Sequence, residues 1–569
     1  MPKREYRCRK VVGGVGEGPA LVADTRISFW GGFDPNSGRI IEVGNPLEGR
    51  AIDGSIMVFR STKGSSGTSR VLRLARSAGH FPAAFINNEL DELSVLTCVA
   101  QRLPMVIDFE SDPFTDLTNG EWLRVDADRG FVTAGIPEGE RLPGIRSPAD
   151  DAFSVEMELT AEQWAMLRGE AGPDCAEYLR TLIHWGQACG ARRLLRVENV
   201  MPSALDVPDR SMGDVPYQLI QENIDYTKSC LRNDVRATAF SHIASMDLRR
   251  VEKFGSDQRQ VPDQAALIDM AHNIGLCLTW SCAPYLLGNV PVKGQICAWT
   301  ESHAVVYINS ILGARTTRHG NESSVAAMAT GWVPEFGVLL TENRRARILI
   351  HVACGLENDA DWGCLGFFAG KAGGLRIPAF TGLPSPRLEA ARQLSAALAT
   401  SGGAAMFHIA GVTPESPTLE AALQDREPED TYTFGRKELS RMYNELRTTT
   451  GSDVDLVYFG CPHATLQEVV EVAVAIRGRR VHKRVTLVVS MSYAVEMQAR
   501  RLGFIQEIEE AGGFIMTDTC PTNVFWPPCR RMATPSVKTC YYAQNLLGCE
   551  GYLAALPDCI RIAETGRIA

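Results

Sequence analysis

The chain has 569 residues, of which 45% are hydrophobic and 22% are charged. This balance is typical of a soluble globular protein, and the length predicts two to four domains. The formal net charge is −9, and no dense Lys/Arg segment is interleaved with aromatic residues. We therefore do not expect nucleic acid to be a partner.

The N-terminus and the cysteines bear on the compartment. The first ten residues are charged and no apolar segment follows them, so we expect no secretory signal, and no later apolar run reaches membrane-spanning length. The sixteen cysteines are dilute for a chain of this length, and many lie in apolar stretches. Reduced, buried thiols in a cytoplasmic protein account for most of them.

The first hundred residues alternate short apolar runs with Gly, Pro and Asn turns. Residues 68–78 predict one helix in this region. The segment 137–151 lacks periodicity and predicts a linker, which divides the chain into domains at residues 1–145 and 152–569. Four runs predict the strands of a small β-rich domain: residues 20–23, 27–30, 55–59 and 105–107.

Beyond the linker, helical and strand-like segments alternate. Residues 160–169 and 175–189 have helical periodicity, and Thr160 with Gln163 predicts a capping box at the first helix. Apolar strands bracketed by amphipathic helices indicate an α/β part with largely parallel sheets. The strand-like runs are residues 194–197, 237–240, 348–352, 454–459 and 485–490.

A Ser/Gly segment, Ser61-Thr-Lys-Gly-Ser-Ser-Gly-Thr-Ser-Arg70, joins the strand run that ends at Phe59 to the helix predicted from Thr68. Small residues at a strand-to-helix turn expose backbone N–H groups and hydroxyls. Such a turn suits an anion and would stabilise a serine alkoxide at the helix N-terminus. The alternative is a solvated turn that only caps the helix.

Three cysteines stand beside a proline, or one residue from it, where apolar or glycine-rich runs break. They are Cys282 in Ser281-Cys-Ala-Pro, Cys461 in Gly460-Cys-Pro-His and Cys520 in Asp518-Thr-Cys-Pro. Short stiff loops of this kind present isolated thiolates to one metal cluster and leave N–H groups free to bond the sulfur. The alternative is an ordinary buried Cys-Pro turn.

Other polar residues stand in apolar surroundings. His463, two residues after Cys461, is either an acid–base group or a cap at a strand end. Lys538 lies alone in an uncharged stretch, as an anion clamp or as a snorkelling surface residue. Five residues surround the apolar helix of segment 299–320 and are candidates to bind a substrate carboxylate, unless the segment is only a buried helix with its C-terminal cap: Glu301, His303, Asn309, Arg315 and Arg318.

In this order, the motifs resemble the aconitase X family, the divergent branch of the aconitase superfamily. The first part is similar to its swivel domain through Gly31-Gly-Phe-Asp-Pro-Asn-Ser-Gly and Lys63-Gly-Ser-Ser. The remainder is similar to its large domain through four motifs that begin at Ser281, Gly313, Gly460 and Asp518. The resemblance implies a multi-domain α/β catalytic part with parallel sheets, preceded by an N-terminal β-rich swivel domain.

The fusion of both parts in one chain is similar to the bacterial single-chain type. This resemblance implies a hydro-lyase that dehydrates cis-3-hydroxy-L-proline to Δ1-pyrroline-2-carboxylate. The archaeal type, which dehydrates mevalonate 5-phosphate, is split into two subunits. Residues 208–213 depart from the Gly-Val-Ser segment of the split type, which weakens the case for binding a phosphorylated substrate.

The resemblance also implies site residues. It places the catalytic serine at Ser65, with Ser66 as the alternative by one position. An ionised Ser65 needs stabilisation, for which Lys63 and the helix N-terminus are the obvious sources. Lys538 matches a substrate-contacting lysine, and Asn309 lies in a shared Asn-Ser step. The predicted substrate contacts are Ser66, Ser211, Asn309, Arg315 and Lys538.

The cofactor implied by the resemblance is an iron–sulfur cluster held by Cys282, Cys461 and Cys520, with Cys364 as the alternative to Cys282. We expect a 2Fe-2S cluster, with 3Fe-4S and 4Fe-4S as alternatives. Its open iron would act as Lewis acid while Ser65 takes the proton beside the carboxylate. The expected protein is a cytoplasmic monomer whose partner is a small hydroxy amino acid.

Three alternatives stay open at this point. The first is dehydration or isomerisation of another small hydroxy acid, such as mevalonate 5-phosphate. The second is a non-catalytic iron–sulfur or zinc protein in which Cys461 and Cys520 are structural. The third is a phosphotransfer module, for which the first domain offers only His80, poorly placed after a helix end.

Overall fold

The computed structural model describes residues 2–146, 156–203, 217–230, 235–256, 258–524 and 529–568. We refer to residues 2–146 as the N-terminal part and to the described residues from 156 onward as the C-terminal part. Among the described helices, none is both long and apolar enough to cross a membrane.

One mixed sheet forms the core of the N-terminal part. Its strands are β1 (Arg4–Arg7), β2 (Arg9–Val12), β3 (Val15–Val22), β6 (Ile56–Phe59), β7 (Ala84–Asn87), β8 (Met105–Ile107), β9 (Trp122–Asp126), β10 (Phe131–Ala134) and β11 (Gly144–Arg146), while β4 (Phe33–Asp34) pairs with β5 (Arg39–Ile40). The order is β1-β10-β9-β3-β6-β7-β8-β2, with β11 beside β3. Strands β3, β6, β7 and β8 run parallel. This sheet confirms the predicted β-rich domain.

The helices described in this part are α1 (Phe29–Gly32), α2 (Thr68–Ser77), α3 (Glu92–Gln101) and α4 (Pro113–Asp116). Helix α2 confirms the predicted helix and connects β6 to β7. Helix α3 was not predicted, because it is buried on nearly all sides and shows little amphipathic period. Its N-terminus is capped by Asp91, whose side chain accepts from the backbone N–H of Ser94.

One strand prediction for this part is wrong, and the predicted linker includes a short strand. In the predicted strand 27–30, only Ile27 forms a β-bridge, to Thr62, and the chain then turns into α1. The turn needs Gly31, which has φ of 73° and lies so close to Leu546 that a Cβ would stand 2.7 Å from its side chain. The predicted linker contains β11, which pairs with β3. Residues 147–151 of that linker lie outside the described residues.

The C-terminal part begins with two helices and two small sheets. The helices α5 (Ala161–Leu167) and α6 (Pro173–Ala188) confirm the two predicted helices, and Thr160 and Gln163 form the capping box. Strand β12 (Leu194–Arg196) pairs with β16 (Trp332–Pro334), and β13 (Asn199–Met201) lies parallel between β14 (Thr238–Ala239) and β15 (Cys297–Trp299). The described helices here are α7 (Tyr217–Cys230), α8 (Val261–Asn273), α9 (Ser302–Tyr307) and α10 (Asn321–Thr330).

Two parallel sheets follow. The first has the order β19-β18-β17-β20, from β17 (Ile348–Val352), β18 (Pro378–Thr381), β19 (His408–Ile409) and β20 (Asp430–Phe434). The second has the order β23-β22-β21-β24-β25, from β21 (Leu456–Phe459), β22 (Thr486–Met491), β23 (Phe514–Thr517), β24 (Arg531–Thr534) and β25 (Glu550–Leu553). These sheets confirm the predicted parallel α/β architecture.

Nine helices of the described residues accompany these sheets: α11 (Asp359–Gly373), α12 (Leu388–Ser401), α13 (Leu419–Leu423), α14 (Arg436–Leu446), α15 (Leu466–Ile476), α16 (Tyr493–Arg501), α17 (Phe504–Glu510), α18 (Val537–Tyr542) and α19 (Leu556–Thr565). Strand β21 ends just before Cys461, and β23 ends just before Cys520. Because β21 and β23 both run parallel to β22, which lies between them, the two cysteines lie at the same edge of the sheet.

Candidate active site

A cavity of about 90 Å³ lies between the N-terminal and C-terminal parts. The N-terminal part contributes Trp30, Ser65, Ser66 and Arg70. The C-terminal part contributes three cysteines and a group of charged or polar side chains: Cys282, Cys461, Cys520, His242, Glu301, His303, His463 and Lys538. The serines and cysteines that the sequence singled out therefore meet around one space.

The serine loop connects β6 to α2 and is held by hydrogen bonds. The hydroxyl of Ser65 accepts from the backbone N–H of Gly67 at 3.3 Å, at the N-terminal end of α2. The hydroxyl of Ser66 accepts from the backbone N–H of Glu301 at 3.2 Å. Ser65 is therefore oriented within the N-terminal part, whereas Ser66 also joins the two parts.

Gly64 sets the path of this loop. Its φ is 83°, and a Cβ there would stand 2.6 Å from the Tyr542 hydroxyl and 2.9 Å from that of Ser28. Its carbonyl oxygen accepts from Arg318 Nη2 at 2.5 Å, and Arg318 also donates to Gly403 O at 3.2 Å. The guanidinium of Arg318 thus holds the serine loop from the C-terminal part, and it does not line the cavity.

Lys63 lies outside the cavity lining. Its ammonium forms an ion pair with Glu42 at 2.6 Å and lies 6.0 Å from the centre of the Tyr541 ring. Tyr541 donates its hydroxyl proton to the same carboxylate at 2.9 Å. The charge of Lys63 is therefore compensated away from Ser65, at a contact between the two parts of the chain.

The three cysteines line the cavity from separate loops. Polar groups contact the sulfur atoms of two of them, Cys282 and Cys520. The backbone N–H of His463 donates to Cys282 Sγ at 3.3 Å, and the Thr522 hydroxyl lies 3.2 Å from Cys520 Sγ. Burial raises the pKa of Cys282 and of Cys520. Bonds from N–H and O–H groups to sulfur are typical of the surroundings of iron–sulfur clusters.

Among the described residues, no three His, Cys, Asp or Glu side chains stand close enough together to hold a single metal ion. An iron–sulfur cluster is larger than one ion and takes thiolates as ligands. Three thiols around one cavity, two of them with polar neighbours, fit such a cluster. Cys364 does not line the cavity, since it is buried in α11 within the core of the first parallel sheet.

The Glu301 carboxylate is the centre of a charged group at the cavity. Glu301 accepts from Lys538 Nζ at 2.6 Å and contacts His242 Nε2 at 3.2 Å and His303 Nδ1 at 3.0 Å. Burial raises the pKa of Glu301, but Lys538 and the two imidazoles outweigh it and hold the pKa well below its usual range. Burial alone would lower the pKa of Lys538, but the nearby Glu301 carboxylate outweighs this effect and raises it.

The imidazoles of His242 and His303 each have one ring nitrogen that contacts Glu301 and one that does not. Because His242 Nε2 and His303 Nδ1 face a carboxylate, these nitrogens carry the protons and the opposite nitrogens are acceptors. His242 Nδ1 and His303 Nε2 are buried without a hydrogen-bond partner among the described residues. Burial lowers the pKa of His303 to about 4. Each of these two cavity-lining residues thus has one buried ring nitrogen that does not contact Glu301.

Two predicted substrate contacts do not line the cavity. Asn309 is buried and donates to Thr316 O at 2.8 Å and Ala405 O at 3.0 Å. Arg315 donates to Leu339 O at 2.6 Å and to the Thr341 hydroxyl at 2.9 Å. Ser211 and the divergent segment 208–213 lie outside the described residues.

Several lining residues were not predicted as site residues from the sequence, among them His242, Trp30 and Arg70. His242 follows β14 in Phe240-Ser-His-Ile, where no local pattern marks it. Trp30 and Arg70 flank motifs that were recognised, and the Trp30 ring packs so closely on the serine loop that a Cβ at Gly67 would stand 2.4 Å from it. Proximity to the Ser/Gly segment was the available signal for Arg70, which is 3% exposed.

Family models of four domains match almost the whole chain. They are the aconitase X swivel domain at residues 5–134, the first domain at 156–342, the second at 346–444 and the third at 454–565. The matched models place one swivel domain ahead of three further domains, as the N-terminal and C-terminal parts of the structure do. The chain belongs to the aconitase X family.

Particular relatives span different shares of the chain. A Pseudomonas aeruginosa protein named cis-3-hydroxy-L-proline dehydratase is 32% identical over 98% of this chain and 96% of its own length. A Methanothermobacter thermautotrophicus protein named phosphomevalonate dehydratase large subunit is 34% identical over 64% of this chain and 88% of its own. A crystal structure of Thermococcus kodakaraensis aconitase X in its holo-form is similar with a TM-score of 0.62 and 29% identity, covering 72% of this chain and all of that one.

Proposed function

We propose that this protein is a hydro-lyase that dehydrates cis-3-hydroxy-L-proline to Δ1-pyrroline-2-carboxylate. The observation that carries the proposal is the similarity to the Pseudomonas aeruginosa cis-3-hydroxy-L-proline dehydratase over 98% of the chain. That similarity includes the swivel part in the same polypeptide, whereas the phosphomevalonate dehydratase large subunit covers 64% of the chain.

The reaction removes the proton from C2 and hydroxide from C3, and the enamine so formed tautomerises to the imine. Ser65 is the proposed base. An alkoxide at neutral pH needs several kcal/mol of stabilisation from oriented donors in a dry site. The Gly67 N–H, which donates to Ser65 Oγ, and the N-terminus of the ten-residue helix α2 are the donors that support this role.

The imidazoles supply acceptors for the proton that Ser65 must lose. His242 and His303 both line the cavity, and His242 Nδ1 and His303 Nε2 have no hydrogen-bond partner among the described residues. Glu301 offsets the charge of an imidazolium, because its carboxylate bonds both rings. Burial lowers the pKa of His303 to about 4, so His303 binds a proton poorly at neutral pH.

Two cationic side chains support binding of the substrate carboxylate. Lys538 and Arg70 both line the cavity, from opposite parts of the chain. A carboxylate between them would lie in a site that is largely closed to water, where charge-assisted hydrogen bonds are strong. Trp30 adds an aromatic face against which the methylene edge of the pyrrolidine ring can pack.

The proposed cofactor is a 2Fe-2S cluster held by Cys282, Cys461 and Cys520. When bound, such a cluster supplies a Lewis acid for the leaving hydroxyl. The sulfur contacts of His463 N–H and the Thr522 hydroxyl support these ligands. Ser66, whose hydroxyl lies at the junction of the two parts, is proposed to contact the substrate.

We further propose a cytoplasmic monomer that acts on a small hydroxy amino acid. None of the sixteen cysteines, all of which lie in the described residues, forms a disulfide, which is typical of a reducing compartment. Both halves of the cavity come from one chain, so a second subunit is not needed to complete it. Dehydration of another hydroxy acid and a non-catalytic cluster protein are the competing functions.

The test is anaerobic turnover of cis-3-hydroxy-L-proline by the wild type, Ser65→Ala and Ser66→Ala, with the visible iron–sulfur spectrum of each. We expect Ser65→Ala to lose about 10²–10⁴-fold in kcat with its spectrum retained. Ser66→Ala, the matched control, should mainly raise KM. Wild type that is inactive with an intact spectrum would redirect the assignment to other hydroxy acids, and full activity of Ser65→Ala would refute the serine base.

A further inference from the structure

A second cavity, of about 360 Å³, lies behind the loop that presents Cys461. It shares only Gly460 and Cys461 with the first cavity. Its other walls come from the starts of α11, α15 and α19, from α12, and from the carboxyl ends of the second parallel sheet. The proposed dehydration uses none of the groups that face this space alone.

Gln393 is a buried polar side chain that lines the second cavity. The residue is 4% exposed, and its Nε2 donates to the carbonyl oxygen of Cys461 at 3.1 Å. Its Oε1 is buried and has no hydrogen-bond partner among the described residues. A buried acceptor of this kind costs free energy unless it receives a proton donor. A ligand here is therefore expected to be a donor.

The charges around the second cavity are predominantly negative. Arg387 donates to Asp359 at 3.2 Å and to Glu471 at 2.8 Å, so one cation serves two carboxylates. The carboxylate of Glu468 is paired with Arg392 behind the wall, at 2.7 Å. Burial and the nearby Glu468 raise the pKa of Asp359 to about 6. The negative charge in this space exceeds the positive charge.

The helix N-termini at this cavity do not reverse that balance. Asn358 caps α11 and Thr465 caps α15, each accepting backbone N–H groups of the first turn. Asp359 and Glu468 lie in the same first turns and already offset the positive ends of the helix dipoles. An anion would meet carboxylates, whereas a cation would meet an excess of acceptors.

Apolar side chains complete the lining. Phe459, Val472, Val489 and Leu556 all face the second cavity. A bare metal cation would leave these groups unused, while an alkyl group would bury against them. The chemistry of the lining therefore combines hydrogen-bond acceptors and negative charge at one side with an apolar surface.

We propose that the second cavity binds a protonated alkylamine, with its ammonium at Gln393 Oε1 and the Asp359 carboxylate and its alkyl chain on the apolar lining. The amide of Gln393 would then connect the ligand to the Cys461 loop. This inference does not depend on the proposed dehydratase activity.

The test is calorimetric titration of the holo-protein with n-butylammonium chloride at constant ionic strength. We expect saturable binding that weakens at least about tenfold in Asp359→Asn, because one charged acceptor is removed. Glu445→Gln, which alters an exposed carboxylate paired with Lys371 outside this cavity, should bind as the wild type does. Glu471→Gln, at a partly exposed position, should also weaken binding and serves if Asp359→Asn fails to fold.

Three controls identify the ligand chemistry. Equal binding of n-butanol would show a merely apolar cavity, and equal binding of potassium would show a simple cation site. Binding of acetate in place of the amine would show an anion site. Each of these results, or no binding of the amine at all, would overturn the proposal.

Discussion

Among single residues, Glu301 bonds to four other residues of the cavity, which no motif in the sequence indicates. Its carboxylate bonds Lys538, His242 and His303, while its backbone N–H donates to Ser66. Its own φ is 56°, a left-handed conformation that is uncommon for a residue other than glycine. Such a conformation persists where surrounding contacts impose it, which these four contacts do.

Replacement of Glu301 by Gln should lower kcat by about 10²–10⁴-fold while KM changes by only about threefold. The neutral amide cannot fix both imidazole tautomers or offset an imidazolium charge. Steady-state kinetics on protein with an unchanged iron–sulfur spectrum provides the measurement. Glu301→Asp should recover part of the loss, and Glu496→Gln, a buried carboxylate paired with Arg250 and Arg500, is the control. A kcat within threefold of wild type in Glu301→Gln would contradict this positioning role.

Gly64→Ala should destabilise the protein by about 2–5 kcal/mol, since strain at positive φ adds to a close contact with Tyr542. Gly79→Ala is the matched control, because Gly79 has φ of 86° and a Cβ added there would have no other atom within 4 Å. It should cost only about 1–2 kcal/mol. Urea titrations of both variants give the comparison, and equal losses would show that the contact with Tyr542 has no effect.

Site residues that lie in local sequence motifs were predicted, and site residues outside such motifs were not. Ser65 and the three cysteines lie in Ser/Gly or Cys-Pro motifs, and the structure brings all four to one cavity. His242 has no such motif, because its role depends on Glu301, a residue far along the chain. Lys63 and Arg315 were predicted from proximity in sequence, which does not determine where a long side chain finds its partner.

At the scale of elements, α18 and the segment after β5 form a contact that joins the two parts. Glu42 lies 5% exposed between the Lys63 ammonium and the Tyr541 hydroxyl. Removing one member of a buried ion pair leaves the other charge without compensation. The contact therefore contributes to the alignment of the serine loop with the cysteine loops.

Lys63→Met should cost about 2–4 kcal/mol in stability and change kcat by less than about tenfold. The double variant Lys63→Met/Glu42→Gln should recover part of the stability, because no charge is then left unpaired. Denaturant titration and turnover on the same samples separate the two effects. Loss of kcat in Lys63→Met with stability and spectrum intact would return Lys63 to the catalytic role predicted from the sequence.

Most elements of the fold were predictable from periodicity, and the exceptions have tertiary causes. Helix α2 and strands β17, β21 and β22 have apolar patterns that can be recognised from the sequence of each segment alone. Strand β11 is three residues long and exists because β3 offers it an edge, which no local pattern in residues 137–151 indicates. Helix α3 is buried on most of its surface, so its sequence lacks a polar face.

At the scale of the whole molecule, buried neutral histidines link stability to pH. Burial lowers the pKa of His319 to about 3, whereas an unfolded chain has a value near 6.5. Between these values the unfolded state binds a proton that the folded state does not. The free energy of unfolding should therefore fall by about 1.4 kcal/mol per pH unit, for this residue alone, as the pH decreases from 6.5.

Urea titrations between pH 4.5 and 7.5 check this prediction. His319→Gln should reduce the slope of stability against pH by about one proton, whatever its effect on stability at pH 7.5. An unchanged slope in His319→Gln would mean that His319 does not contribute to the acid sensitivity.

The division of the cavity between two parts of one chain has a kinetic consequence. Because Ser65 and the cysteines belong to one chain, the two parts that carry them meet at an effective concentration of the order of millimolar, as expected for a short connection. In a chain cut between Arg146 and Glu156, that local concentration would be replaced by the concentrations of two pieces. Turnover would then depend on dilution, and the contacts of Arg318, Glu42 and Glu301 across the boundary would determine the dissociation constant.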